Sequence, residues 1–522
     1  MKRKTINKLL STVMVAAMSV GLLAGCGGSA STDTSATTPA ADNTSATTES
    51  SSTGDSATTT DSGDKVTINV TRATFNLANP DTEQVKKVQD AVNEYIGDKI
   101  NVQVNLTDIG SGEYTDKANL ALANNEINLL WTASWESVIG TNDLVPQKAV
   151  YDLTDLIQGT DLYNSMDEGQ WEATKYDGKI YFIPVYKDNV EGYDIMARKD
   201  LVDKYGWDMS SIKSLKDIEP MLADAKSEGL KYPWLTQKTA MFYRFYINDF
   251  DFFTADVTAN WVAVDKSTNE VVDTIQTDQY KEFCTLMADW AEKGYISEDD
   301  VTKTTTDTTT QTQDWALSWW TDIPVNAEAN SRYGQEVEMA PITDRWAHST
   351  SALGSVWCVT ANSTEEQAKA CIDFMGLLYT DSKLADMWTF GIEGEDYSYD
   401  ENGQVVQNSD KYNHSMWESA SATIVTPVAG EPENKADLYK DFNGGAKTSP
   451  AAGFRFDKTP VEAQFAACQN VFETYGFPLE NGGFAAADVD ATIEAYQAAL
   501  DEAGYQDVLA EFQSQYDAWK AQ

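Results

Sequence analysis

Val66-Thr67-Ile68-Asn69-Val70 and Ile100-Asn101-Val102-Gln103-Val104-Asn105-Leu106 alternate apolar with polar residues, and the stretch between them does not. Alternation at a period of two marks a half-buried strand. Between the two runs, Val85, Val88, Val92 and Ile96 recur at helical spacing, with Asp81 after Pro80 as a cap and Gly97 as a stop. Strand, helix and strand in that order form a βαβ unit, so the strands are parallel and the crossover right-handed. A second helix over Glu113–Asn124 and a third strand, Ile127-Asn128-Leu129-Leu130-Trp131, extend the pattern to an open α/β sheet.

Ligands of such sheets sit outside the carboxyl ends of the strands. That rule selects two segments. Asp108–Tyr114 offers Gly110 and Gly112 for backbone approach, with the carboxylate of Glu113 and the ring of Tyr114. Trp131–Glu136 offers two indoles, Trp131 and Trp135. Core packing competes for Trp131, which leaves Trp135 as the stronger candidate.

The chain opens with Lys2, Arg3, Lys4 and Lys8, then a largely apolar Leu9–Leu23, then Ala24-Gly25-Cys26. This is the layout of a secretory signal, and the apolar run is shorter than the roughly 20 residues that a spanning helix needs. The Leu23-Ala24-Gly25-Cys26 ending resembles a bacterial lipobox, which implies cleavage of residues 1–25, lipid on the Cys26 sulfur and a membrane-anchored protein outside the cytoplasm. Residues 26–64 are almost entirely Ser, Thr, Ala, Gly and Asp. Such a stretch buries too little apolar surface to fold and predicts a flexible leash on the order of 30 Å long.

Without the signal, the net charge of −44 becomes −48, because the first 25 residues carry four bases and no acid. A surface this acidic repels nucleic acid and anionic lipid and favours a neutral or cationic ligand. Fifteen tryptophans raise the expectation of a ligand that stacks on flat rings, sugars above all. Two histidines, His348 and His414, and widely spaced Cys284, Cys358, Cys371 and Cys468 argue against a metal site or a Ser-His-Asp triad. Buried thiols or one or two bridges both fit these cysteines. No cofactor is expected. Roughly 460 folded residues exceed one core and predict two lobes.

Tyr176-Asp177-Gly178-Lys179-Ile180-Tyr181-Phe182-Ile183-Pro184-Val185-Tyr186, with Tyr193–Leu201 after it, resembles the first crossover of extracellular solute-binding proteins of carbohydrate ABC importers. Glu336–Ile342 is similar to their return crossover, Thr364–Ala370 with Phe374-Met375 and Tyr379-Thr380-Asp381 to a helix of the family, and Phe390–Tyr397 to a motif of the lipoprotein subgroup. Gly453–Val461 and the helices beyond it resemble that subgroup's extra C-terminal region. Trp315–Pro324 departs from the subgroup, which carries smaller residues there, so no single relative's ligand transfers.

The resemblance implies a two-lobed periplasmic-binding-protein-like fold of type II, with doubly wound sheets joined by a multi-segment hinge. Lobe 1 is expected over 65–183 and 342–388, lobe 2 over 187–340 and 394–522. Hinge candidates are Pro184–Tyr186, Ala340–Ile342 and Trp388–Gly394. The implied protein is a monomeric receptor, not an enzyme, that passes an oligosaccharide to the transmembrane subunits of an ABC permease. Candidate ligand contacts are Glu113, Tyr114, Trp131, Trp135, Tyr186, Lys187, Trp319, Trp320, Asp322 and Arg345. Trp319 and Trp320 are neighbours on a strand, so only one of them faces a cleft. A surface-anchored glycoside hydrolase is the alternative and needs paired carboxylates; a peptide receptor of the same fold is another. The Thr302–Thr312 run reads as a surface loop or short strand. Ile493, Tyr496, Leu500, Val508, Leu509, Phe512, Tyr516 and Trp519 read as one or two helices packed on a lobe, with a partner-binding face as the second reading.

Overall fold

The computed structural model describes residues 65–252, 257–302, 313–325 and 334–521. The signal segment, Cys26, the leash and residues 303–312 of the threonine run lie outside them.

β1 (Val66–Thr74), α1 (Thr82–Ile96) and β2 (Val102–Gly110) form the expected unit, with β1 and β2 parallel from Val66 opposite Val102 to Thr74 opposite Gly110. The Asp81 carboxylate accepts from the amides of Glu83 and Gln84, capping α1, whose Val85, Val88, Val92 and Ile96 are buried. α2 (Ser111–Ala123) follows β2 without a loop, and β3 (Leu129–Thr132) runs parallel to β1. Gly110 serves a different purpose from the one its sequence suggests. A Cβ there would stand 2.0 Å from the Ala78 carbonyl oxygen, so the glycine admits the protein's own backbone rather than a ligand.

β4 (Phe182–Pro184) is the last strand before the chain crosses over. The second lobe holds β5 (Tyr193–Arg198), β6 (Tyr232–Trp234), the long α3 (Asp278–Glu292), β7 (Trp315–Thr321) and β8 (Val337–Pro341). The chain returns as β9 (Val356–Val359), antiparallel to both β3 and β4. The sheet orders are β2-β1-β3-β9-β4 and β8-β5-β7-β6. Each sheet has its own core, one containing Ile68, Val104, Leu129 and Trp357, the other Ile195, Trp234, Phe283 and Leu317.

α4 (Glu365–Leu378), which opens with a Thr364–Gln367 capping box, and α5 (Ser382–Phe390) pack on the first core. The expected lobe boundary at residue 394 does not hold. Tyr397, Val405, Tyr412, Met416 and Tyr439 all belong to the first core. Nor is Trp388–Gly394 a crossing: Trp388 is fully buried against Phe374, at 5.1 Å between ring centroids. The chain crosses for the third time between Tyr439 and Ala451, which lies in the second core. There Asn443 bonds the carbonyl of Lys187 (2.7 Å) and the amide of Asn189 (2.9 Å), and Lys447-Thr448 pairs with Trp346-Ala347. The three crossings therefore lie side by side as one bonded floor. The one proline of the third crossing, Pro450, stands at its far end beside Ala451, and the sequence does not announce the crossing.

α6 (Glu462–Val471), α7 (Val489–Glu502) and α8 (Tyr505–Lys520) close the second lobe, burying Tyr496, Leu500, Val508, Phe512 and Tyr516 as the helical spacing predicts. Cys284, Cys358, Cys371 and Cys468 are buried free thiols, and burial pushes all four pKa values up.

Candidate functional site

The carboxyl ends of β1 and β3 carry an aromatic cluster. Phe75 follows β1 directly, Trp131 lies in β3, Trp135 lies just beyond it, and Trp417 arrives from the segment before the third crossing. Ring centroids are 4.8 Å apart for Phe75–Trp417, 5.8 Å for Phe75–Trp135 and 5.9 Å for Trp131–Trp135, with the two Trp135 contacts edge to face. Trp131 is fully buried, whereas Phe75 and Trp135 expose 36% and 40% of their surface. Exposed rings that cluster, unlike scattered ones, mark an interaction surface.

The crossing that returns from the second lobe fixes the indoles. Trp131 Nε1 donates to Ser355 Oγ (2.9 Å), Ser355 Oγ to the Trp417 carbonyl (2.6 Å), and Trp135 Nε1 to the Gly354 carbonyl (2.8 Å). Glu136, beside the platform, bonds Thr115 at 2.6 Å; burial pushes its carboxyl up while that hydroxyl opposes the shift. Lys187 reaches the same crossing: its ammonium lies 3.8 Å from where a Gly354 Cβ would be, and it bonds the Asp188 carbonyl at 3.2 Å.

Beneath the platform lies a buried charged network that the sequence reading missed. Arg72 and Asp108 are opposite each other across β1 and β2 and pair in a fork, both oxygens at 3.0 Å. Arg72 also donates to the Trp388 carbonyl (2.9 Å) and Tyr412 Oη (2.6 Å) and lies 4.5 Å over the Trp388 ring. His414 Nε2 is 2.9 Å from Asp108 and its Nδ1 3.2 Å from Glu418, whose other oxygen accepts the Phe75 amide at 3.2 Å. Burial works against both charges. Asp108 nevertheless keeps Arg72 protonated beyond the ordinary range, and Arg72 with His414 holds Asp108 well below the carboxylate range. The signal was present: Arg72 is in phase with Ile68 and Val70, Asp108 with Val104 and Leu106, so each strand turns a charge inward.

The structure distributes the remaining candidates over both lobes and the first crossing. Tyr114 is buried and donates to the Trp131 carbonyl. Glu113 is exposed and pairs with Lys117 at 2.7 Å. Tyr186 is buried at the first crossing, where its carbonyl accepts the Ala422 amide at 2.8 Å. Trp320 is buried in a small cluster with Met196, Tyr232 and Trp315, and Trp319 lies half-buried against the main core of the second lobe, the two neighbours facing opposite sides of their strand. Trp319 Nε1 donates to the Thr236 carbonyl (3.2 Å), and the Arg244 guanidinium lies 4.0 Å over its ring. Asp322 and Arg345 are committed to each other, at 2.6 and 3.2 Å. Behind them Asp194 is pushed up to about 7 by burial and by Asp322, with Arg345 pulling the other way.

Residues 90–393, more than half of the chain, match the family described as bacterial extracellular solute-binding proteins. The chain belongs to that family. Residues 450–521 of this solute-binding protein match a second family, a domain of unknown function (DUF3502). A "Carbohydrate ABC transporter substrate-binding protein" of Streptococcus pneumoniae serotype 4 is 25% identical over 470 residues, 87% of this chain and 91% of the relative. Among solved structures, the N-glycan transport solute-binding protein NgtS of Streptococcus pneumoniae has a TM-score of 0.75 at 22% identity, over 87% of this chain and 99% of that one. A solute-binding protein of Bifidobacterium longum infantis, described as binding HMO, has a TM-score of 0.58 at 16% identity, over 87% and 99% of the two chains. These likenesses establish the two-lobed fold, and the family is one of binding proteins rather than enzymes. Among the described residues, no helix is long and apolar enough to cross a membrane.

Proposed function

We propose that the protein captures an oligosaccharide between its lobes and delivers it to an ABC import permease, held at the outer face of the membrane by lipid on Cys26. The observation that carries this reading is the platform of exposed Phe75 and Trp135 with half-buried Trp417, set at the carboxyl ends of parallel strands and bonded to a crossing. Sugar rings present flat C–H faces that stack on indoles, while their hydroxyls need directional partners. Lys187, Glu136 and Asn76, which follows Phe75 and donates to Ser415 Oγ at 3.2 Å, are the candidates to supply them. Relatives support the same class: one is named for carbohydrate transport, and NgtS has been solved with Man1GlcNAc and Man5GlcNAc.

Binding in such a receptor closes the lobes about the crossings, so the ligand shifts a population and leaves unchanged in structure. Titration calorimetry against a panel that includes Man5GlcNAc, kestose and short peptides tests the reading. The expected result is saturable binding of a glycan without turnover. Binding of peptides alone, or release of cleaved sugar, overturns it.

A further inference from the structure

The C-terminal region of unknown function reaches into the second lobe next to Trp319. Within residues 450–521, the turn Phe477–Glu480 delivers Glu480 with none of its surface exposed. One Glu480 oxygen accepts the amides of Met241 (2.8 Å) and Phe242 (3.0 Å), and the other accepts Asn260 Nδ2 (2.8 Å). Asn481 donates to the Thr239 carbonyl at 3.1 Å. The loop they grip is not relaxed: Gln237 and Lys238 have φ of 56° and 50°, a left-handed conformation that costs a residue with a side chain.

That loop makes the wall around Trp319. Gln237 Nε2 donates to the Trp319 carbonyl (2.8 Å) and to Ser318 Oγ (2.9 Å), and the Thr236 carbonyl takes the Trp319 indole N–H. Arg244, two residues beyond Phe242, covers one face of the same ring. We infer that the C-terminal region positions the second lobe's half of the ligand cleft, with Glu480 as the residue that sets Trp319 through the 236–245 loop.

Two backbone amides and an amide nitrogen all donate to Glu480, an arrangement that favours the carboxylate, while burial favours the neutral acid. The groups around it are Arg244 on the loop, Tyr280 and Cys284 on α3, and Tyr496 on α7. Burial prevails and Glu480 titrates near 7. Protonation removes acceptor strength from the Met241 and Phe242 amides, so the grip on the loop slackens as pH falls through that value.

The geometric claim needs no ligand to test, and only its bearing on affinity rests on the cleft reading above. The protein is labelled with 5-fluorotryptophan, and the Trp319 resonance is assigned with Trp319→Phe. In the wild type this resonance is expected to move between pH about 5.5 and about 8.5 with a midpoint near 7. In Glu480→Gln it should stay near the acidic wild-type position and lose the titration, because the neutral amide, like the protonated acid, accepts more weakly than a carboxylate and cannot ionise. Glu480→Ala should shift it at every pH and speed exchange of the Met241 and Phe242 amides by about tenfold or more. A titration that survives in Glu480→Gln, or an unmoved Glu480→Ala resonance, overturns the inference. If Glu480→Ala does not fold, Glu480→Gln at pH about 8.5 decides: a Trp319 resonance displaced from the wild-type position supports the inference and an undisplaced one overturns it.

Discussion

Arg72→Met removes the positive member of a pair whose side chains are 0% and 1% exposed, leaving Asp108 in the core with only His414 beside it. Breaking a buried ion pair from one side costs about 3–5 kcal/mol, whereas replacing both members with apolar residues of similar volume is often neutral or better. Arg72→Met should therefore lose about 3–5 kcal/mol, and Arg72→Met/Asp108→Leu should recover at least about 1 kcal/mol of it despite depriving His414 of a partner. The pH dependence has a definite sign. The wild-type Asp108 carboxyl is held below its unfolded value, so its contribution is complete above pH about 4 and is lost as pH falls further. In the variant burial acts unopposed by Arg72 and raises the same carboxyl, so acid relieves the variant while it weakens the wild type. The gap between them narrows toward low pH. Urea unfolding followed by fluorescence, repeated from pH about 7 down to about 4, measures this. An Arg72→Met loss under about 1 kcal/mol at neutral pH, or a double variant less stable than the single one, refutes the account of the network.

Trp135→Ala should weaken glycan binding. The ring exposes 40% of its surface, on the order of 100 Å², and covering half to all of that at about 25 cal/mol per Å² gives about 1.2–2.5 kcal/mol, or roughly 8- to 60-fold in Kd; calorimetry showing unchanged affinity contradicts the platform reading. Asp194, titrating near 7, is destabilising once pH exceeds its unfolded value of about 4, and that cost grows until about 7. Asp194→Asn should match the wild type at pH about 4 and exceed it by up to about 4 kcal/mol at pH about 8; a constant difference across that range means that the carboxyl is not held neutral. Cys26→Ala should release the protein into the medium with ligand affinity intact, as fractionation and calorimetry would show, and a loss of affinity in the soluble form would give the anchor a further role.

Local patterns carried the first lobe. The βαβ unit and the Asp81 cap follow from strand alternation, helical spacing and capping within residues 66–110, and in the second lobe the opposed faces of Trp319 and Trp320 follow from alternation alone. Phe75 and Trp417 escaped because they meet across 342 positions of chain, and nothing near either one predicts the other. Gly110 was misread for a similar reason, since the atom it accommodates belongs to Ala78 rather than to a ligand. The third crossing was invisible because a hinge is defined by which core its flanks enter. Arg72 and Asp108 are the instructive case: strand phase turned both inward, and parallel register then made them partners.

The tryptophans of the platform are tied to the segment that must bend. Because Trp131 and Trp135 donate to Ser355 and Gly354, a rotation of the lobes works directly on two indole hydrogen bonds. The receptor thereby carries its own optical gauge: indole emission responds to hydrogen bonding and polarity at the ring nitrogen, so opening and closing should be visible without any attached dye. Trp135, the more exposed of the two, would register both the arriving ligand and the movement that follows, and stopped-flow traces would separate them in time.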